Sequence, residues 1–255
     1  MPDEPTDRYR FIGCEIIYRE ACHLAATAAR MVDVEFLRKG LHDLETPDMV
    51  AAVQERIDAV DEGLYRAVLL GYARCNDGLV GVEARGIPVV IPRAHDCITL
   101  LFGSRGAYRR RFDEHPGTYY YSTGWAERNL SGDEAEQPAY GKRGVMARLG
   151  LTETYEQMVA KYGKDNADYI VASLGDWRKN YTHLLYLEMG VCDERGFIEA
   201  ARRHAERESW QFERRPGCWD LLEKLFDGRW DEDFVVVPPG KRIVARNDET
   251  VLDFE

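Results

Sequence analysis

Apolar residues recur along this chain in two rhythms. Residues 65–70 and 86–91 are nearly continuous apolar runs, the pattern of strands buried on both faces. Residues 32–37 (VDVEFL) alternate apolar and polar, as a half-buried strand does. Residues 11–17 begin as a strand and run into a helix that carries Arg19, Glu20 and the alanine-rich stretch 21–29. Thr46, Pro47 and Asp48 open a further helix: Thr46 suits a cap, and Pro47 suits the first turn. Its continuation, 49–60, spaces apolar residues three and four apart. A short apolar helix follows at 98–102, ended by Gly103, and 117–122 reads as a strand.

Beyond Trp125 the pattern loosens. Residues 129–142 are polar and read as a loop, 152–162 as a helix, and 168–177 as either helix or strand. Strands are expected at 183–189, 211–214 and 234–237, the last stopped by Pro238, Pro239 and Gly240. Helices are expected at 196–207 and at 219–226, the latter closed by Gly228. Strand and helix alternate, which predicts an α/β fold with a parallel, doubly wound Rossmann-like sheet, built as two βα halves. The expected division is a flexible N-terminus (1–8), an α/β half (9–125), a second α/β half or cap (126–245) and an acidic, peripheral tail (246–255).

Composition narrows the function. The chain has 255 residues, 45% of them hydrophobic, enough for a real core. Its net charge of −11 disfavours general nucleic-acid binding, which needs basic surface. The one compact basic cluster, Tyr108 to Phe112, reads as a solvated helix face, and Arg214 and Arg215 as solvated charge. No run approaches the roughly 20 apolar residues that span a bilayer, and the N-terminus lacks a signal-peptide core. A cytoplasmic protein is expected. Its six cysteines are then packing residues, metal ligands or reactive thiols rather than a disulfide framework. No Gly-x-Gly-x-x-Gly follows the first strand and no Gly-Lys-Ser/Thr motif occurs, which disfavours the common phosphate-cradling folds.

Three cysteines share a placement. Cys14, Cys75 and Cys97 each sit just past an apolar run. If those runs are parallel strands of one sheet, all three thiols lie at its carboxyl edge, where open α/β sheets bind ligands. Three thiolates suit a metal or an iron–sulfur cluster and leave one position open for a substrate. Taken singly, each cysteine also fits the reading of a buried small hydrophobe. His95 lies two residues before Cys97, as a ligand, a proton donor or a surface residue. Arg19 and Glu20 follow Cys14, as anion clamp and general acid/base or as an exposed ion pair, and His42 follows the second strand. Cys22, Cys192 and Cys218 are assigned to packing, and the stretch from Trp177 to His183 to a cover or a connection.

These segments resemble the uncharacterised prokaryotic family known as domain of unknown function 1638. Cys14-Glu15-Ile16-Ile17-Tyr18-Arg19-Glu20 is similar to the family's Cys-Gly-Ala-Leu-x-Arg-Glu segment, with Glu15 in place of glycine. Leu41-His42 matches its Leu-His turn, Tyr72-Ala73-Arg74-Cys75 its Tyr-Gly-x-Cys segment, and His95-Asp96-Cys97 its His-Cys pair with Asp96 inserted. The stretches 222–230 and 238–240 match its late leucine-tryptophan segment and Pro-Gly stop, so the resemblance is expected to span nearly the whole chain. The resemblance implies one-carbon metabolism beside corrinoid-dependent methyltransferases. By architectural analogy, the three cysteines are also similar to those of quinolinate synthase and the diphthamide radical enzyme, which hold a [4Fe-4S] cluster with an open iron. The expectation is an enzyme with Cys14, Cys75 and Cys97 on such a cluster, and His95, His42, Arg19 and Glu20 handling protons and anions. Its substrate would be a small methylated molecule. Two alternatives stand: a zinc-thiolate methyltransferase, and a non-catalytic accessory protein that meets cobalamin through a corrinoid protein or methyltransferase. The absence of an Asp-x-His-x-x-Gly run counts against direct corrinoid binding.

Overall fold

A computed structural model describes residues 8–38, 46–75, 77–128, 155–167 and 180–255. The expected loop at 129–142 and the ambiguous segment at 168–177 lie outside the described residues. Four parallel strands form the heart of the first sheet: β1 (Arg8–Cys14), β2 (Met31–Leu37), β3 (Ala67–Gly71) and β4 (Val89–Pro92). A later strand, β8 (Phe234–Val237), completes the order β2-β1-β3-β4-β8. β3 and β4 are buried at every residue, which is why their sequences are unbroken apolar runs. β2 pairs only with β1 and stays half-exposed, as its alternation foretold.

Helices connect these strands. β1 passes through a 3₁₀ turn (Glu15–Ile17) into α1 (Tyr18–Thr27), and α2 (Thr46–Asp58) precedes β3. After β4 come α3 (Cys97–Phe102) and α4 (Arg105–Glu114). The Asp96 side chain caps α3 by accepting the Thr99 N–H at 3.1 Å, and Gly103 ends it in the left-handed region at φ 71°. Among the described residues no helix is long and apolar enough to cross a membrane.

The second sheet is wholly parallel: β5 (Thr118–Tyr121), β6 (His183–Glu188) and β7 (Gln211–Pro216), in that order. Along the chain follow α5 (Thr123–Arg128), α6 (Tyr155–Tyr162), α7 (Arg195–Glu208), which packs on the second sheet, and α8 (Asp220–Asp227), whose Leu221, Leu222, Leu225 and Phe226 join the core of the first. β6 shows the layering. Leu185 and Leu187 join the core of the first sheet, whereas Leu184 and Tyr186 pack with Ile198, Ala201, Ala205 and Trp210. Opposite faces of one strand thus serve two cores, as the period of two requires. The second sheet begins at Thr118, ahead of the expected change near Trp125.

Three expectations need correction. β8 runs antiparallel to β4, so the first sheet is mainly rather than wholly parallel. The tail is not peripheral: β10 (Leu252–Phe254) pairs with β9 (Ile243–Ala245), and Val251 and Leu252 are buried. Arg93 donates to the Thr250 carbonyl at 3.0 Å and also to that of Leu252, which ties the acidic tail to the end of β4. The basic cluster is not uniformly solvated either. Arg109 and Arg110 are exposed, but Arg111 is 2% exposed and pairs with Glu213 at 2.8 Å.

Glycines permit two close approaches. Gly13 and Gly71 are register partners on β1 and β3, and a Cβ on either would fall within 2.4 Å of the Phe11 ring. At Gly124 a Cβ would lie 1.6 Å from the Ile16 carbonyl oxygen, because α5 presses on the 3₁₀ turn after β1. Gly124→Ala is therefore expected to lower stability by about 3 kcal/mol. Gly196→Ala, in the first turn of α7 with nothing within 4 Å, should be neutral or gain about 0.5 kcal/mol. Urea unfolding of both variants checks this pair, and equal stabilities would contradict the packing.

Candidate functional site

Cys14, Cys75 and Cys97 meet at the carboxyl edge of the first sheet. Cys14 is the last residue of β1, and Cys97 is the first of α3. Cys75 sits in the turn after β3 with a left-handed φ of 40°. Backbone pairing sets their neighbourhood. Arg74 N–H donates to the Ala94 carbonyl at 2.9 Å, and Cys75 N–H to the His95 carbonyl at 3.1 Å. The strand pairing of β3 and β4 thus continues into their loops and brings Cys75 beside the start of α3. Cys14 is 2% exposed and Cys97 9%, while Cys75 keeps part of its surface in solvent.

The thiols sense one another. Burial, then the negative potential of Cys14 and Asp96, pushes the Cys75 thiol up to about 12, against backbone groups of Ala73 and Cys97 that act the other way. Burial also raises Cys97 well above the ordinary thiol range, and Cys75, Asp96 and Cys14 add to the effect. At neutral pH these two thiols hold their protons unless a cation compensates the charge. Among the described residues, no three of His, Cys, Asp and Glu are gathered in a geometry that would hold a metal ion. What the three cysteines share is an edge and an electrostatic neighbourhood.

Side chains not singled out from the sequence complete this edge. Tyr72 is 1% exposed, its hydroxyl has no hydrogen-bond partner among the described residues, and it feels both Cys14 and Cys75. Asp96 accepts the Tyr108 hydroxyl at 2.8 Å besides capping α3. Tyr108 in turn packs against Phe102 and Tyr120. The inserted Asp96 thus fixes the start of the helix that bears Cys97. A polar residue immediately before a short apolar helix was the available signal.

The other expected residues separate. His42 lies outside the described residues. The His95 side chain is exposed, and its carbonyl serves Cys75. Arg19 does not pair with Glu20: its Nε donates to Glu127 Oε1 and Oε2 at 2.9 and 2.8 Å. Glu20 is 1% exposed, and neither carboxyl oxygen has a hydrogen-bond partner among the described residues. Burial raises its pKa from 4.5 to about 7; its own backbone N–H opposes this, and Glu194 and Glu127 add to the rise. Glu194 is better provided, accepting from the Tyr186 hydroxyl at 2.9 Å and the Gly190 N–H at 2.6 Å. Of the cysteines assigned to packing, Cys22 and Cys192 are half-buried. Cys218 is exposed as a residue, although its Sγ lies against Gly103.

The raised Glu20 pKa has a signed consequence. Below pH 4.5 both folded and unfolded chains carry the protonated acid, and the group adds no pH dependence. As pH rises towards 7 the unfolded chain ionises first, so stability falls by a total of about 3 kcal/mol. Glu20→Gln removes this loss. Its stability advantage over the wild type should grow from pH 4.5 to 7 and then level off in chemical denaturation, and parallel pH profiles would contradict the burial.

No curated protein and no solved structure matches the chain. Residues 36–226 match the family described as "Protein of unknown function (DUF1638)". The match is narrower than the expected near-complete resemblance. It includes Cys75 and Cys97 but not Cys14, Arg19 or Glu20. Covering most of the sequence, it shows that the chain belongs to this family of unknown function.

Proposed function

We propose that this protein is a cytoplasmic enzyme in which Cys14, Cys75 and Cys97 hold a [4Fe-4S] cluster with one iron left open to a small substrate. The observation that supports this reading is the shared electrostatic neighbourhood of three thiols from separate segments at one sheet edge. Cys14 makes Cys75 harder to ionise, both make Cys97 harder to ionise, and a cationic cluster would reverse that penalty. The donor set fits: thiolates are the ordinary ligands of such clusters, and three of them leave one iron without a protein ligand. The sheet is read here as doubly wound, since its order changes direction between β1 and β3. In such sheets ligands bind beyond the strand ends at this point, where Cys14 and Cys75 lie.

The chain's own residues would do the rest. Cys75 would supply the partly exposed thiol, and Cys14 and Cys97 the buried ones. Asp96, held by Thr99 and Tyr108, fixes the start of α3 and thereby Cys97. The buried Tyr72 hydroxyl supplies an unused hydrogen-bonding group beside Cys14 and Cys75. His95, whose side chain is exposed beside Cys97, would exchange protons at the rim. Arg19 would bind an anion only after release from Glu127. When bound, the cluster would supply a Lewis-acidic iron for a substrate oxygen, nitrogen or sulfur. The placement in one-carbon metabolism, with a methylated substrate and a corrinoid protein or methyltransferase as partner, rests on the family resemblance.

Anaerobic purification with iron, sulfide and zinc analysis tests the reading. The wild type should be brown with about four irons per chain. Cys14→Ser, Cys75→Ser and Cys97→Ser should each lose most of that iron while remaining folded. About one zinc and no iron would replace the cluster with a zinc-thiolate methyl-transfer site. Protein that takes up neither metal, or full iron in all three variants, would overturn the thiol site and leave the accessory-protein reading.

A further inference from the structure

A second polar region lies apart from the thiols, at the contact of α1 with α5 and the segment leading into α7. Glu20 stands on α1, Glu127 on α5, and Glu194 immediately before α7. Arg19 is the cation that reaches Glu20, and it is already engaged by both oxygens of Glu127. Glu194 has its Tyr186 and Gly190 donors, and Tyr186 also bonds Thr123 Oγ1 at 3.0 Å. Cys192, also near Arg19, Glu127 and Glu194, is held protonated by burial. Among the described residues Glu20 has no side-chain donor and shares its cation with Glu127, although it is 1% exposed. A buried carboxyl left with two unsatisfied oxygens is costly. Ser122, just after β5 and 0% exposed, also has no hydrogen-bond partner for its hydroxyl among the described residues.

The unmet atoms on Glu20 are acceptors, and Glu194 and Glu127 add negative potential to it. A metal ion would need several free oxygens around one point, and Glu127 and Glu194 are already engaged by Arg19, Tyr186 and Gly190. A small organic cation with several N–H donors suits the region better: it would satisfy both carboxyl oxygens and neutralise the charge at once. We infer that Glu20 is the anchor of a binding site for a small protonated amine, flanked by the Arg19–Glu127 ion pair. This site goes beyond the proposed cluster and does not depend on it. Without the amine, Glu20 keeps its proton below about pH 7. When the ammonium form binds, that proton leaves the carboxyl for solvent and the carboxylate accepts the ammonium N–H groups. Arg19 and Glu127 must part for entry, and both retain partial exposure.

Titration calorimetry of the full chain with ethylammonium chloride tests the inference, with potassium chloride at equal ionic strength as the reference. Saturable binding is expected for ethylammonium and not for potassium. It should tighten roughly tenfold from pH 6 to pH 8, with proton release seen as a buffer-dependent heat. Glu20→Gln should weaken it at least tenfold while keeping a cooperative unfolding transition. Cys75→Ser, which tests the thiol site, should bind ethylammonium as the wild type does, so the two readings fail separately. No ethylammonium binding, equal response to potassium, or unchanged binding in Glu20→Gln would overturn the site.

Discussion

The contact on which the site geometry depends is the Phe11 ring lying over Gly13 and Gly71. These glycines face each other across β1 and β3, two residues beyond Phe11 on the same strand face. Without side chains there, the two strands accept the ring, which also packs on Phe226 with centroids 4.9 Å apart and on Phe36 at 5.9 Å. The residues immediately after this pair are Cys14 and Tyr72. The close packing that fixes the register of the central strands therefore also fixes the side chains at their carboxyl ends. A slip by one residue would turn every side chain of β1 to the other face.

From that fixed edge the fold builds two polar regions with opposite needs. At the first, Cys75 and Cys97 resist losing their protons because burial removes their water and the neighbouring thiols and Asp96 add negative potential. At the second, Glu20 resists ionising because burial removes its water and its own backbone N–H and Arg19 offset only part of that loss. Both are places where the folded chain holds chemistry that packing alone would not select. They differ in supply: the thiols offer soft donors for a metal, whereas Glu20 and Ser122 offer oxygen acceptors for N–H groups. The structural ion pairs nearby are already matched, so they frame these regions without competing for their unmet atoms.

Much of the first sheet was legible because its strands are fully buried. An apolar run such as 67–70 has few alternatives, and the helix stops at Gly103 and Gly228 follow from left-handed backbone that glycine adopts freely. The common edge of Cys14, Cys75 and Cys97 followed from strand order alone. Asp96 was readable as a cap, but its bond to Tyr108 was not, because that partner arrives from the next helix. Arg19 and Glu20 were adjacent in sequence and looked like a pair. On a helix, neighbours point about 100° apart, so Arg19 reached Glu127 while Glu20 turned inward.

The acidic tail and Arg111 show the same division. Net charge placed the tail at the surface, yet Arg93 gathers its carbonyls and Leu252 closes on the core. A run of arginines read as solvated, yet the third of them meets Glu213 across more than a hundred residues. By itself the sequence determined most strands and helices of the first sheet and the glycines that end them, because hydrophobic periodicity and backbone preference act locally. Only the tertiary structure decided which charges are compensated, which strand runs antiparallel and which carboxyl stays alone. Those outcomes depend on partners brought together by packing, and burial multiplies the cost of every polar group that finds none.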